Sequence, residues 1–351
     1  MTSRERITIV LNGGVPDRVP IHDSYWGSTI ERWRREGLPK NISPDSYFGT
    51  EIVRIGGDYS LQFPTKLIEE TDRYRTYIDS YGATRKDLKL SAGWTPQWLG
   101  FTIKSKDDWL KHKDRVKYNP SRISTSAVNS CRQAHAQGKF VVYSGHATFH
   151  PTWQKVGMEN MFIWMKEEPE FIVDMFEAHT QLMIEMYDEL KKLGAEFDGA
   201  WFSDDLGYRN APLISPEMYR ELIFPFHKQL CDHVAKDGLK TMLHSDGNVE
   251  PLIPHFLEAG ISCLHPLEAK AGLDVRQLKP KYVDKLVLFG NIDVRQLAKT
   301  KEDIEAEISS KIPIAKEGGG YIYHSDHSVP DDISFANYKF ALELVRKYGS
   351  Y

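Results

Sequence analysis

Leu239-Lys-Thr-Met-Leu-His244-Ser-Asp246-Gly-Asn248 follows Gly238, a helix-stop residue, and reads as a buried strand that ends on an imidazole, a carboxylate, a glycine and an amide. A core strand has no packing reason to finish in such a cluster, because buried polar groups must find partners. The arrangement recurs at Gly320-Tyr-Ile-Tyr-His324-Ser-Asp326-His327. Strands that each deliver polar residues at their carboxyl ends are how a (β/α)8 barrel builds an active site.

Outward from these two stretches, the same pattern is found six more times. Arg18–Asp23 includes His22, and Glu51–Asp58 ends on a carboxylate. Phe140–Ser144 is followed by Gly145 and His146, and Gly199–Ser203 by Asp204 and Asp205. Ile261–His265 leads to Glu268, and Leu286–Gly290 to Asn291 and Asp293. Helical stretches separate the strands, with glycine repeatedly at the helix-to-strand junction. Ser215-Pro216-Glu217 and Thr300-Lys-Glu-Asp303 have helix-start chemistry. The fold class expected is α/β, a (β/α)8 TIM barrel. A doubly wound open sheet is the competitor, but it would place a glycine-rich phosphate loop after its first strand, and Gly56-Gly57-Asp58 lacks that form. Residues 62–104 break the alternation. They are rich in β-branched and aromatic residues and suit antiparallel hairpins inserted in a loop at the barrel mouth. Nothing divides the chain, so residues 1–351 read as one domain.

Composition narrows the function classes. The 351 residues carry a net charge of -4, which suggests neither a nucleic-acid nor an anionic-membrane partner. No signal region or bilayer-length apolar run is present, and a cytoplasmic location is the expectation. Cys131, Cys231 and Cys263 stand far apart, which argues against a disulfide framework and a cysteine-rich zinc site. Neither a nucleophile elbow, nor a Walker loop, nor His-Glu-x-x-His appears, which moves acyl transfer and nucleotide hydrolysis down the ranking.

The polar strand ends are the candidate site. His244 and Asp246 are two apart and point the same way if strand geometry continues, which suits a metal or substrate centre. Alone, Asp246 reads equally as a turn residue and His244 as a satisfied core histidine. Asp204 and Asp205 cannot share one face of a strand, so at most one points into the barrel while the other caps a turn. Glu268 is a lone carboxylate that Lys270 can pair. His324, Asp326 and His327 suit ligands or an acid–base couple. Asp58 and Asp293 are similar in kind, Asn248 supplies an amide, and His22, His146 and His150 either line the pocket or pack.

Pro16-Asp17-Arg18-Val19-Pro20, Asp204-Asp205-Leu-Gly207, Ile214-Ser-Pro-Glu217, His244-Ser-x-Gly247-Asn248, Gly290-Asn-Ile-Asp293 and Gly318-Gly-Gly-Tyr321-Ile322 together resemble the uroporphyrinogen decarboxylase superfamily across nearly the whole chain. That superfamily holds porphyrinogen decarboxylases and zinc-dependent methyltransferases that exchange methyl groups with a corrinoid. Decarboxylases carry an arginine-rich motif near the first strand that clamps substrate carboxylates. Here Ile21-His-Asp-Ser-Tyr-Trp-Gly27 has no arginine, although Asp58 matches the decarboxylases' central aspartate and His327 their late histidine. The methyltransferases' zinc pattern, His-x-Cys and a later Cys, falls here on His244, Asp246 and His327. Oxygen and nitrogen donors in place of thiolates still permit zinc or a related divalent ion, and weaken thiol activation as the task.

The resemblance therefore implies an enzyme that demethylates a small, methoxylated substrate onto a corrinoid carried by a partner protein. His244, Asp246, Glu268 and His327 are the expected metal ligands, and Asp58, Asp205 and His324 the expected catalytic groups. His22, Asp23, His146, Asp204, Asn248, Asp293 and Asp326 are expected to bind substrate. The alternatives are decarboxylation of a carboxylated substrate, porphyrinogen-like or other, and a non-catalytic tetrapyrrole-binding barrel. A homodimer stays open.

Overall fold

The computed structural model describes residues 1–89 and 96–351. Its strands are β1 (Ile52–Ile55), β2 (Lys66–Glu70), β3 (Tyr74–Ile78), β4 (Ala83–Leu88), β5 (Gln97–Phe101), β6 (Phe140–His146), β7 (Gly199–Ser203), β8 (Lys240–His244), β9 (Ile261–His265), β10 (Val287–Phe289) and β11 (Tyr321–Ile322). Seven of them form one parallel sheet in the order β1-β6-β7-β8-β9-β10-β11, with helices in the connections. This is the curled sheet of a TIM barrel.

The first wall differs from the expected strand Arg18–Asp23. It touches β11 through a single parallel bridge, Ile21 to Tyr323, and continues to a second at Tyr25 and Val329. Pro20 has no N–H to give a ladder. On the other side, toward β1, the Glu51 N–H bonds the Ile21 carbonyl at 3.0 Å, and the Glu51 carboxylate accepts the Ile21 N–H at 2.8 Å. A side chain thus replaces part of the ladder that would close the barrel.

Alternate residues of each wall face inward, as pleating requires. Ile52, Phe140, Val142, Trp201, Met242, Cys263, Val287, Phe289 and Ile322 form one apolar cluster, closed from below by Ile7, Val10 and Leu11 of the helix Ser3–Leu11. The next inward position on several strands is polar: Arg54 after Ile52, Ser203 after Trp201, His244 after Met242, His265 after Cys263, His324 after Ile322. All five border one cavity. The interior therefore changes from hydrocarbon to hydrogen-bonding groups within one residue pair, at the carboxyl ends of the strands.

β2 to β5 form a separate antiparallel sheet in sequence order, as the hairpin reading of 62–104 expects; its residues 90–95 lie outside the described part of the chain. Trp98 of β5 packs edge-on against Trp153 at 5.4 Å, in the helix Phe149–Val156 that follows β6. That contact sets the insert beside the carboxyl-terminal face. After β8 the chain forms a 3-10 turn, Glu250–Leu252, followed by the helix Ile253–Ala259, because Pro251 and Pro254 withhold N–H donors.

Candidate active site

Ser203 and His244 are register partners on β7 and β8, and each strand supplies one more inward residue beyond its end, Asp205 and Asp246. His244 Nε2 lies 3.4 Å from Asp205 Oδ1 and 3.8 Å from Asp246 Oδ1. One ligand atom from each of the three residues lies within 4.8 Å of the others. The loops can come this close because Gly207 and Gly247 meet backbone to backbone; a Cβ on Gly247, at φ +82°, would sit 2.4 Å from the Gly207 carbonyl carbon.

The two carboxylates feel opposite pulls. Burial works against ionised Asp205, but the neighbouring His150, whose Nδ1 is 2.9 Å from Oδ2, and His244 outweigh it and hold Asp205 well below the usual carboxylate range. Burial pushes Asp246 up, His244 opposes this, and the nearby charge of Asp205 adds to the rise. Asp246 Oδ1 is buried with no hydrogen-bond partner among the described residues. Two carboxylates and an imidazole this close, with an orphaned oxygen, fit a divalent cation.

A belt of imidazoles continues the wall of the cavity, whose volume is about 970 Å³. His244 Nδ1 and His265 Nδ1, on register partners of β8 and β9, are 2.7 Å apart. One of these nitrogens must donate and the other accept. His265 is packed edge-on between Trp201 at 4.9 Å and Phe289 at 4.6 Å, and meets His324 at 4.3 Å. Burial pushes the pKa of His22 and His265 well down, so both are neutral. It also lowers His324, against the pull of Asp23, whose Oδ1 is 3.4 Å from Nδ1. Asp23 is fixed in turn by Ser325 Oγ at 2.7 Å and the Tyr338 hydroxyl at 2.8 Å. His146 stacks on His150 at 4.5 Å, and burial and that neighbour bring it down to about 3.

Of the residues expected from the sequence, the structure brings His22, Asp23, His146, Asp205, His244 and His324 to this cavity. Asp246 adjoins it through the cluster with Asp205 and His244. The others make different contacts. Asp204 is fully buried, accepts the N–H groups of Thr148, Phe149 and His150, and lies 2.8 Å from His227 Nε2; it caps the helix after β6. Glu268 is turned onto the Gly247 N–H at 2.9 Å and Lys270 at 2.5 Å, outside the ligand cluster. His327 is also outside that cluster, edge-on to Trp26 at 5.4 Å. Because β11 has only two residues, strand parity cannot be carried from Tyr321 as far as His327.

Asp326 accepts the N–H groups of Ala269 and Val294 and stitches two mouth loops together, its pKa pushed up to about 6 by burial. Asp293 caps the short helix Val294–Leu297 and pairs with Arg295, while Asn248 bonds the Ala271 carbonyl and the Glu250 N–H. Asp58 is an exposed turn residue that accepts from Ser60 and Gln62, since β1 stops at Ile55 and Gly56-Gly57 carry the chain away. Arg54 and His265 were not anticipated. Arg54 shares the inward parity of Ile52, and His265 is the register partner of His244; both facts follow from pairing, which sequence alone does not give.

The family model described as uroporphyrinogen decarboxylase (URO-D) matches residues 125–348, more than half of the chain. A methylated-thiol–coenzyme M methyltransferase of Methanosarcina mazei is 31% identical over 108 residues, 30% of this chain and 27% of that protein. A uroporphyrinogen decarboxylase of Pseudoalteromonas atlantica is 23% identical over 146 residues, 39% of each chain. The matched segments thus span well under half the length of either relative. A solved methyltransferase from Methanosarcina mazei has a TM-score of 0.69 at 17% identity, covering 99% of this chain and 98% of that one, which is a likeness of fold. On the extent of the family match, the chain belongs to the uroporphyrinogen decarboxylase family.

Proposed function

We propose that the chain is a methyltransferase that demethylates a small methoxylated substrate and passes the methyl group to a corrinoid carried by a separate protein, residues 1–351 acting as one domain. The observation that carries this reading is the Asp205, His244 and Asp246 cluster at the wall of a large cavity. These three residues would hold zinc or a related divalent ion, which when bound supplies Lewis acidity toward the ether oxygen of the donor. The donor set is oxygen and nitrogen only. Cys131, Cys231 and Cys263 are buried elsewhere, and burial pushes the Cys231 thiol up to about 12. An oxygen-bound methyl group suits this set better than a thiol.

The chain's own residues prepare the site. Were His244 to hold the ion through Nε2, its Nδ1–H would donate to His265 Nδ1, which would fix the tautomer of the ligand. His324, held by Asp23, and His22 present neutral imidazoles that orient the substrate without adding charge. Trp201 and Phe289, below them, keep the floor of the cavity dry. A decarboxylase is the second reading, favoured by the guanidinium of Arg54 in the same cavity.

The test is metal analysis of protein purified without a metal-affinity tag, joined to an assay of methyl transfer from methoxylated donors to reduced cobalamin. About one divalent ion per chain is expected in the wild type, none in His244→Ala, and loss of transfer on chelation. A metal-free wild type whose activity ignores chelators would reject the centre and leave acid–base chemistry among the same residues.

A further inference from the structure

Arg54 is a charged cavity group that neither the proposed metal cluster nor the imidazole belt uses. It stands on β1 facing inward, with its guanidinium 4.7 Å from the centre of the Trp201 ring. Nε donates to Ser144 Oγ at 2.9 Å and one terminal nitrogen, Nη2, to Ser203 Oγ at 3.3 Å. Two serines and an indole fix the plane of the fork, and no carboxylate of the described residues pairs with it. Its recess brings the pKa down to about 10, so it is charged at neutral pH. The cavity's carboxylates, Asp23, Asp45 and Asp205, are not paired with this fixed, charged guanidinium, and planar forks of this kind bind carboxylates bidentately.

We infer that Arg54 anchors a carboxylate of the substrate, so that the methyl donor is an organic acid. The inference deepens the methyl-transfer reading and rests on it only for which end of the substrate reacts. Ser203, bonded to Arg54, is the register partner of His244 and precedes Asp205 by one inward step. One inward step along a strand is roughly 6.5 Å. An acid held at Arg54 therefore extends its far end to the level of Asp205 and Asp246, the span of a para-substituted benzoate. The anchor is distinct from the arginine-rich first strand of decarboxylases, which this chain lacks. It holds one carboxylate, not several.

Calorimetric binding to the full chain tests this with acid and alcohol pairs that differ in charge: benzoate, phenylacetate and 4-methoxybenzoate against the corresponding alcohols. No corrinoid is present, so failure of methyl transfer leaves the result untouched. Wild type should prefer at least one acid over its alcohol by roughly tenfold to a hundredfold. Arg54→Met should erase that preference while leaving alcohol binding and the thermal transition in place, and Arg54→Lys should restore it in part. Equal binding of acid and alcohol, absence of saturable binding by every acid, or a preference that survives Arg54→Met would each overturn the assignment.

Discussion

Asp204 and Asp205 are neighbours in sequence and face opposite ways. The parity of Trp201, Ser203 and Asp205 sends the second carboxylate into the cavity and leaves the first behind the wall, where it accepts three helix N–H groups and pairs with His227. Their substitutions should therefore separate stability from chemistry. Asp204→Ala strands a buried histidine and three buried donors and should cost about 3–5 kcal/mol in urea unfolding. Asp205→Asn should unfold within about 1 kcal/mol of wild type and lose the bound ion in the metal assay. Equal destabilisation by the two would contradict the opposed placement. The sequence already says that two adjacent carboxylates cannot share a face. Which one points inward depends on knowing that Trp201 does, and a tryptophan at a strand centre packs equally well on either side. Asp58, Asp293 and Asp326 sit three or more residues past the ends of their strands, farther than Asp205 and Asp246, which are two residues past theirs.

At the scale of elements, the helix Phe149–Val156 carries an ionisable group that no sequence pattern marks. Lys155 is fully buried between that helix and Pro169–Lys192, its Nζ 3.4 Å from His179 Nδ1 and without a carboxylate partner among the described residues. Burial pulls its pKa from 10.5 down to about 7. The unfolded chain therefore binds this proton more tightly than the folded one, so the group makes stability rise with pH between about 7 and 10.5. Lys155→Met keeps the volume and removes the titration. The variant should be more stable than wild type at pH 7, and its advantage should shrink at pH 9 by on the order of 2 kcal/mol. Denaturant unfolding at both values measures this; an advantage that grows with pH would contradict the sign. Most elements were legible because their punctuation is local. The Thr300 capping box and the Ser215 cap are present as read, while Pro251 and Pro254 cut short a helix whose apolar spacing alone runs from Val249.

At the scale of the whole molecule, eight apolar walls were readable from the sequence, but not how the last seam closes. Seven walls form continuous ladders; the eighth, around Ile21, meets β1 through Glu51. The Glu51 side chain is 1% exposed and gathers Arg6 at 2.6 Å, Arg18 at 2.7 Å and the Ile21 N–H at 2.8 Å. It thus ties the floor helix Ser3–Leu11, the first wall and β1 to one carboxylate. The cavity also reaches this seam, where Thr50, Val53 and Lys139 border it. Closure by a buried ion network has a recognisable signature, because removing the anion leaves Arg6 and Arg18 charged with Asp17 alone to compensate Arg6. Glu51→Ala should cost about 3–5 kcal/mol, and Glu51→Gln, which retains an acceptor for the Ile21 N–H, should cost less. Hydrogen exchange locates the damage. The amides of Ile21 and of residue 51, both bonded across the seam, should exchange much faster in Glu51→Ala, whereas amides of the β7–β8 ladder should hold their rates relative to global unfolding. Uniform acceleration of every wall would mean that Glu51 supports the barrel as a whole and that the seam has no separate opening.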